Sequence, residues 1–157
     1  MVSGPANFVL VAIWAWHATS RGYAGYVEQL CDAFRKHPGW FDRGPVIVAG
    51  DFNSNTKFDR HISGDNHSSL VSMLEERGVT SAYHHFYGEH QGSETKPTFF
   101  HRWDKQKPFH LDYIFIPHEW RSRLNSMEVG QGEEWIGHSD HCPLIATFTP
   151  VASAANG

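Results

Sequence analysis

Little in this chain of 157 residues would hold it in a membrane, in a disulfide framework or on a polyanion by bulk charge. No apolar run approaches the roughly 20 residues that a membrane span needs, and the stretch from Phe8 to Trp16 lacks the basic segment that precedes a signal-peptide core. Two cysteines, Cys31 and Cys142, are too few for a disulfide scaffold. They read as reduced thiols in a cytoplasmic setting, although an export signal upstream of residue 1 would leave the same two cysteines. Basic residues are also scarce: 13 Lys and Arg stand against 17 Asp and Glu, a formal charge of −4. That balance argues against nucleic-acid binding by bulk electrostatics and leaves local phosphate contacts open. Repeats and low-complexity tracts are missing, and the 12 histidines are scattered instead of set at zinc-ligand spacing.

What is present suits one compact domain with a real core, since 40% of residues are hydrophobic and only 19% are charged. Phe8 to Trp16 predicts a buried strand ending at His17. The spacing of Tyr26, Val27, Leu30, Ala33 and Phe34 predicts a helix over 22–35, stopped at Pro38-Gly39, and a second strand at 45–49 follows it. Residues 54–65 read as a loop. Asn66 is a cap candidate for a helix over 67–76 with Leu70 and Leu74 inward and Gly78 as its stop. An edge strand at 79–84 and a loop at 87–95 come next. A hairpin then starts at 97–101, turns through Trp103 to Lys107 and returns along 110–116, and a pairing of 124–130 with 143–149 is expected to close the sheet.

Three apolar runs carry a polar cluster at one end only: Val46 to Asn53, with Asp51 and Asn53 last; His110 to Ile116, with Asp112 near the start; and Ser139 to Ala146, led by Asp140 and His141. Antiparallel pairing of the first run with the others gathers these five side chains at one sheet edge. Asp51 and Asn53 occupy alternate positions, so an Asp that orients or deprotonates water would sit beside an amide that can donate to a phosphoryl oxygen; the bland alternative is a turn capped by both. A buried Asp112 needs a partner, and His141 is the candidate, with backbone amides as the alternative. Asp140 and His141 point to opposite sides of an extended chain, so one can face a metal and the other a substrate. Carboxylate oxygens without clustered thiolates suit magnesium or manganese better than zinc. His17 could add an acid for the leaving oxygen, or be structural. Lys96, Arg102, Lys105 and Lys107, interleaved with Phe99, Phe100, Trp103 and Phe109, either hold phosphates and stack a ring or form a solvated turn over packed aromatics.

Gly50-Asp51-Phe52-Asn53, Leu111-Asp112-Tyr113-Ile114 and Ser139-Asp140-His141-Cys142-Pro143-Leu144 together resemble the endonuclease/exonuclease/phosphatase superfamily, in order and separation as well as in residue type. The resemblance implies an α/β (α+β) fold: part of a four-layered α/β/β/α sandwich, with a mixed, mostly antiparallel sheet and flanking helices. It implies catalytic roles for Asp51, Asn53, Asp112, His141 and His17, substrate contacts from Asn53 and His141, and Asp140 as a metal ligand; the basic aromatic segment, read from its residues, adds Arg102 and Lys105 as substrate contacts. The implied reaction is hydrolysis of a phosphodiester or phosphomonoester by activated water with Mg2+ or Mn2+. Nucleic acid, a nucleotide or a phospholipid headgroup is the implied partner.

By the same resemblance, residues 1–150 form one domain without the usual N-terminal half; the small, aperiodic residues 151–157 read as a flexible tail. That half normally supplies an Asn and a metal-binding Glu, for which Glu28, Glu75 and Glu76 are no substitute. Loss of the partner sheet would leave an apolar face that a homodimer could cover. Two further readings fit the same residues: a catalytically impaired homologue that keeps a phosphate-binding edge, and a histidine-rich metal-binding module.

Overall fold

A computed structural model describes residues 6–16, 24–61 and 64–150. His17 and the tail at 151–157 lie outside the described residues. The expected elements begin with β1 (Val9–Trp14), α1 (Ala24–Lys36) and β2 (Val46–Asp51). β1 and β2 pair in parallel, from Val9 opposite Val46 to Trp14 opposite Asp51. Parallel neighbours cannot be joined by a tight turn, so α1 serves as the crossover.

The second helix, α2 (His67–Glu76), starts where the sequence places it. The Asn66 side chain accepts from the Ser69 N–H at 2.9 Å, and the Ser69 hydroxyl faces the Asn66 N–H at 2.8 Å, a reciprocal capping box. The edge strand is shorter than expected: β3 (Val79–Ser81) gives way to a short helix, α3 (Ala82–Tyr87), closed by Gly88 in the left-handed region. The expected hairpin divides into two pieces. β4 (Phe99–Phe100) pairs with β5 (Pro108–Phe109), and β6 (Asp112–Pro117) joins the main sheet. The last pair, β7 (Leu124–Val129) and β8 (Leu144–Phe148), flanks a single-turn helix, α4 (Gly132–Trp135).

The main sheet runs β1-β2-β6-β3, with β6 antiparallel to both of its neighbours. β7 and β8 pair as expected but do not close this sheet; they form one of their own. The reason lies in β6, whose two faces are both apolar. One face gives Tyr113 and Phe115 to a core with Val27, Cys31 and Phe34 of α1 and Leu70 and Leu74 of α2. The other gives Ile114 and Ile116 to a second core with Tyr83 of α3 and Met127, Leu144 and Phe148 of the β7–β8 pair. A sheet covered on both sides needs its last hairpin across a face, not along an edge. At β1, Leu10 is 48% and Trp14 is 70% exposed, so this strand is covered on one face only and is not the buried strand the sequence predicts.

Two buried details hold the end of β2. Gly50 has φ 137°, and a Cβ there would lie 1.9 Å from the Ile13 carbonyl oxygen, so the close approach of β1 and β2 requires glycine. His67 is buried at the start of α2, with Nδ1 2.8 Å from the Ser54 hydroxyl and Nε2 3.3 Å from Gln91 Oε1. A carbonyl oxygen can only accept, so Nε2 carries the proton and Nδ1 accepts from Ser54. Burial pushes this imidazole down to about 4 from 6.5.

Gly50→Ala should therefore cost at least about 3 kcal/mol or prevent folding, read as the midpoint of urea unfolding. For His67 the unfolded chain binds the proton first, so its contribution is complete above pH 6.5 and is lost as pH falls toward 4. Roughly 2 kcal/mol should be gone by pH 5. In urea unfolding the wild type should lose roughly 2 kcal/mol more than His67→Gln between pH 7 and pH 5, a difference in which the groups common to both proteins cancel.

Candidate functional site

Asp51 is the last residue of β2 and Asp112 the first of β6, and the two are paired in register. Strand alternation does the rest. Val46 and Val48 of β2 and Tyr113 and Phe115 of β6 face the helices, so Asp51 and Asp112 stand side by side on the opposite face. Trp14, the last residue of β1, is level with Asp51 on its other flank.

His141 completes the group from a different direction. Its ring Nδ1 lies 2.9 Å and 3.2 Å from the two Asp112 carboxylate oxygens. Its backbone is held by an isolated bridge to Phe99 and by the Ser139 hydroxyl, which accepts from the His141 N–H at 3.0 Å. The Phe99 ring lies 4.6 Å from the imidazole, centroid to centroid. Asp51, Asp112 and His141 each offer a ligand atom within 4.8 Å of the others, and among the described residues they are the one such group of three or more.

The charges strain against each other. Burial, and then the Asp112 carboxylate, pushes Asp51 up to about 6, against the Asn53 backbone hydrogen bond and His141 that pull it down. The hydrogen bond to Asp112 raises His141 above its ordinary value, in spite of partial burial. Two close carboxylates beside one imidazole offer hard oxygen donors that fit a divalent cation.

Asn53 follows in the left-handed region at φ 47°. Its side-chain N–H groups donate to Asp51 Oδ2 at 2.7 Å and to the Ala15 carbonyl at 2.9 Å, and its backbone N–H donates to Asp51 Oδ1 at 2.8 Å. Both amide hydrogens therefore hold Asp51 and β1 in place. Asp140 falls outside the group of three, although its charge acts on both Asp51 and His141. Its carbonyl accepts from the Phe100 N–H at 2.8 Å. Arg102 and Lys105 are exposed on the turn between β4 and β5, where Arg102 and Trp103 take φ 55° and 63° and Lys107 pairs with Asp104. His17 lies outside the described residues.

Sequence reasoning missed the buried support under this edge. Asn55, two residues past Asn53, is 2% exposed and donates toward the His110 carbonyl, the Tyr113 hydroxyl and Glu94, all at 3.1–3.2 Å. Glu94 also accepts from the Gly92 N–H and His84 Nε2, contacts that hold its carboxyl down at about 2. The repeat of Asn at positions 53 and 55 was the signal, because a second amide so close to a strand end needs buried partners.

Beside Asn53, Tyr26, Phe58, Phe99, His101, Phe109 and Leu111 line a pocket of about 250 Å³. A larger one of about 380 Å³ lies between Phe41, Arg77 and His118, at the other end of β2 and β6 and away from the carboxylates. Glu75 is at that far end too, bonded to Thr80 and His118.

No curated protein sequence matches the chain. Solved structures do. An AP endonuclease from Archaeoglobus fulgidus superposes with a TM-score of 0.65 at 16% identity, covering 90% of this chain and 61% of that one. The 3'-5' exonuclease NExo from Neisseria meningitidis gives 0.51 at 18% identity, covering 80% and 51%. A variant of the Neisseria 3' phosphatase NExo, bound to product DNA hairpin, gives 0.52 at 17% identity, covering 81% and 51%. The chain thus spans between half and three fifths of these proteins. The profile of the endonuclease/exonuclease/phosphatase family matches residues 7–141, which takes in all three polar strand ends, and the chain belongs to that family.

Proposed function

We propose that the chain is a phosphoesterase that hydrolyses a phosphodiester or phosphomonoester of a nucleic acid, with Mg2+ or Mn2+ bound at the Asp51–Asp112 edge. The observation that carries this reading is the in-register carboxylate pair with His141 bonded to one member. Asp51, at the end of β2 and held by two hydrogen bonds from Asn53, is placed to orient the attacking water or take a proton from it. Asp112 fixes the His141 ring through Nδ1, which leaves Nε2 as the donor toward a phosphoryl oxygen. Asn53 reaches a phosphate by exchanging one of its two internal bonds; until then it keeps Asp51 oriented.

Asp51 and Asp112 are the donors for the cation, with Asp140 adding negative charge nearby. When bound, such an ion supplies neutralisation of phosphate charge and a lower pKa for attacking water. One chain builds this group, so nothing at the site calls for a second copy. Support for nucleic acid over a phospholipid headgroup comes from the aromatic pocket beside Asn53, sized for a single sugar or base, and from Arg102 and Lys105 on the adjoining turn. The DNA product bound to one Neisseria relative agrees. A histidine-rich metal module has no support, because the other histidines form no metal-binding group among the described residues.

Hydrolysis of bis-p-nitrophenyl phosphate and of a short DNA duplex carrying a 3' phosphate should require Mg2+ or Mn2+ and stop with chelator. Asp51→Asn should lower kcat by about a thousandfold while the fold persists. Activity untouched by Asp51→Asn would overturn the reading, and phosphate binding without turnover in the wild type would favour the impaired homologue.

A further inference from the structure

Thr98 is fully buried, and three of its atoms hydrogen-bond to the chain segments that carry Asp112 and His141. Its N–H donates to the Phe109 carbonyl at 2.9 Å, and its carbonyl accepts from the Cys142 N–H at 2.7 Å. Its hydroxyl oxygen accepts from two successive backbone amides, Leu111 N–H at 2.9 Å and Asp112 N–H at 3.0 Å. The segment from Thr98 to Phe100 is thus a spacer between the start of β6 and the strand entry at 140–142. Phe100 continues it with a bond to the Asp140 carbonyl, and Phe99 with its bridge to His141.

The hydroxyl stands where a neighbouring strand is missing. β3 pairs with β6 only at Phe115–Pro117, so the β6 edge at Asp112 has no strand beside it on that side. On the other side the Phe52 N–H bonds to the Leu111 carbonyl and holds β2 to β6. A buried amide donor at 111 and a part-buried one at 112 would be left unpaired without the threonine oxygen. Asp112 would then be free to drift against His141, which Thr98 anchors separately through Cys142.

We propose that Thr98 is a positioning residue for the Asp112–His141 pair: one side-chain oxygen sets the height of Asp112, and the same residue's backbone sets that of His141. The catalytic part of this inference rests on the function proposed above, while the geometric part does not. A hydroxyl at this position is then required for correct spacing of the pair, which a methyl of equal size cannot supply.

The test compares Thr98→Val, which keeps the shape and removes the hydroxyl, with Thr98→Ser, which restores it. In Thr98→Val, amide hydrogen exchange at Leu111 and Asp112 should speed up at least about tenfold, and the His141 Nδ1–H proton resonance should broaden or vanish. On bis-p-nitrophenyl phosphate, kcat should fall about tenfold to a hundredfold with KM within about twofold. Thr98→Ser should return all three toward wild type. The inference is overturned if Thr98→Val melts cooperatively and leaves the His141 resonance unchanged, or if Thr98→Ser behaves as Thr98→Val does. The NMR readouts decide it even in a protein that turns over no substrate, so a failure of the proposed function is seen apart from a failure of this role.

Discussion

The constraint on which the site depends is the placement of two carboxylates opposite each other at the ends of adjacent antiparallel strands. Asp51 and Asp112 repel, and burial first and that repulsion second push the Asp51 carboxyl up to about 6. Like charges directly across a strand pair destabilise a sheet. The surroundings compensate one partner at a time: Asn53 donates two hydrogen bonds to Asp51, and His141 docks on Asp112. A structure that needed only stability would replace the pair with apolar residues, as the rest of β2 and β6 has done. Retaining it makes sense where a cation and a phosphate come to the same place.

Beneath that surface the fold invests in rigidity. The polypeptide leaving β2 enters the left-handed region at Asn53 and then sends Ser54 and Asn55 inward. Ser54 meets His67 at the start of α2, and Asn55 meets Tyr113, the His110 carbonyl and Glu94. One consistent set of protons runs from Ser54 through His67 and Gln91 to His84 and ends on the Glu94 carboxylate. Each contact ties the end of β2 to an element already fixed by the hydrophobic cores. A chain that must hold a left-handed asparagine at its site needs such bracing, since the conformation is not held by local preference alone.

The strand ends were legible in the sequence because polarity changes abruptly there, from Val46-Ile47-Val48 to Asp51 and from Asp112 to the apolar run after it. Both helices were legible by their spacing, and Asn66 by its cap chemistry. The pairing of Asp112 with His141 was legible because a buried carboxylate needs a cation or donor. Other features were not. The helix at 82–87 was masked by β-favouring residues such as Tyr83 and Tyr87, whose burial in the second core outweighs propensity. The separate β7–β8 sheet depends on both faces of β6 being apolar, a three-dimensional fact that alternation along one strand does not state. Asn55, Glu94 and Thr98 support the site through contacts far apart in sequence; only Asn55 is marked, by the repeat of Asn at 53 and 55, and no short motif marks the other two.

The central claim is that Asp51, Asp112 and His141 make one cation-binding and phosphate-binding edge. It is tested most directly by titrating Mn2+ into isotopically labelled protein and following paramagnetic broadening. The account predicts that signals of Asp51, Asn53, Asp112 and His141 broaden first, and that Asp51→Asn combined with Asp112→Asn removes the effect. Broadening centred on the remaining histidines, or none near residues 51 and 112, would contradict it.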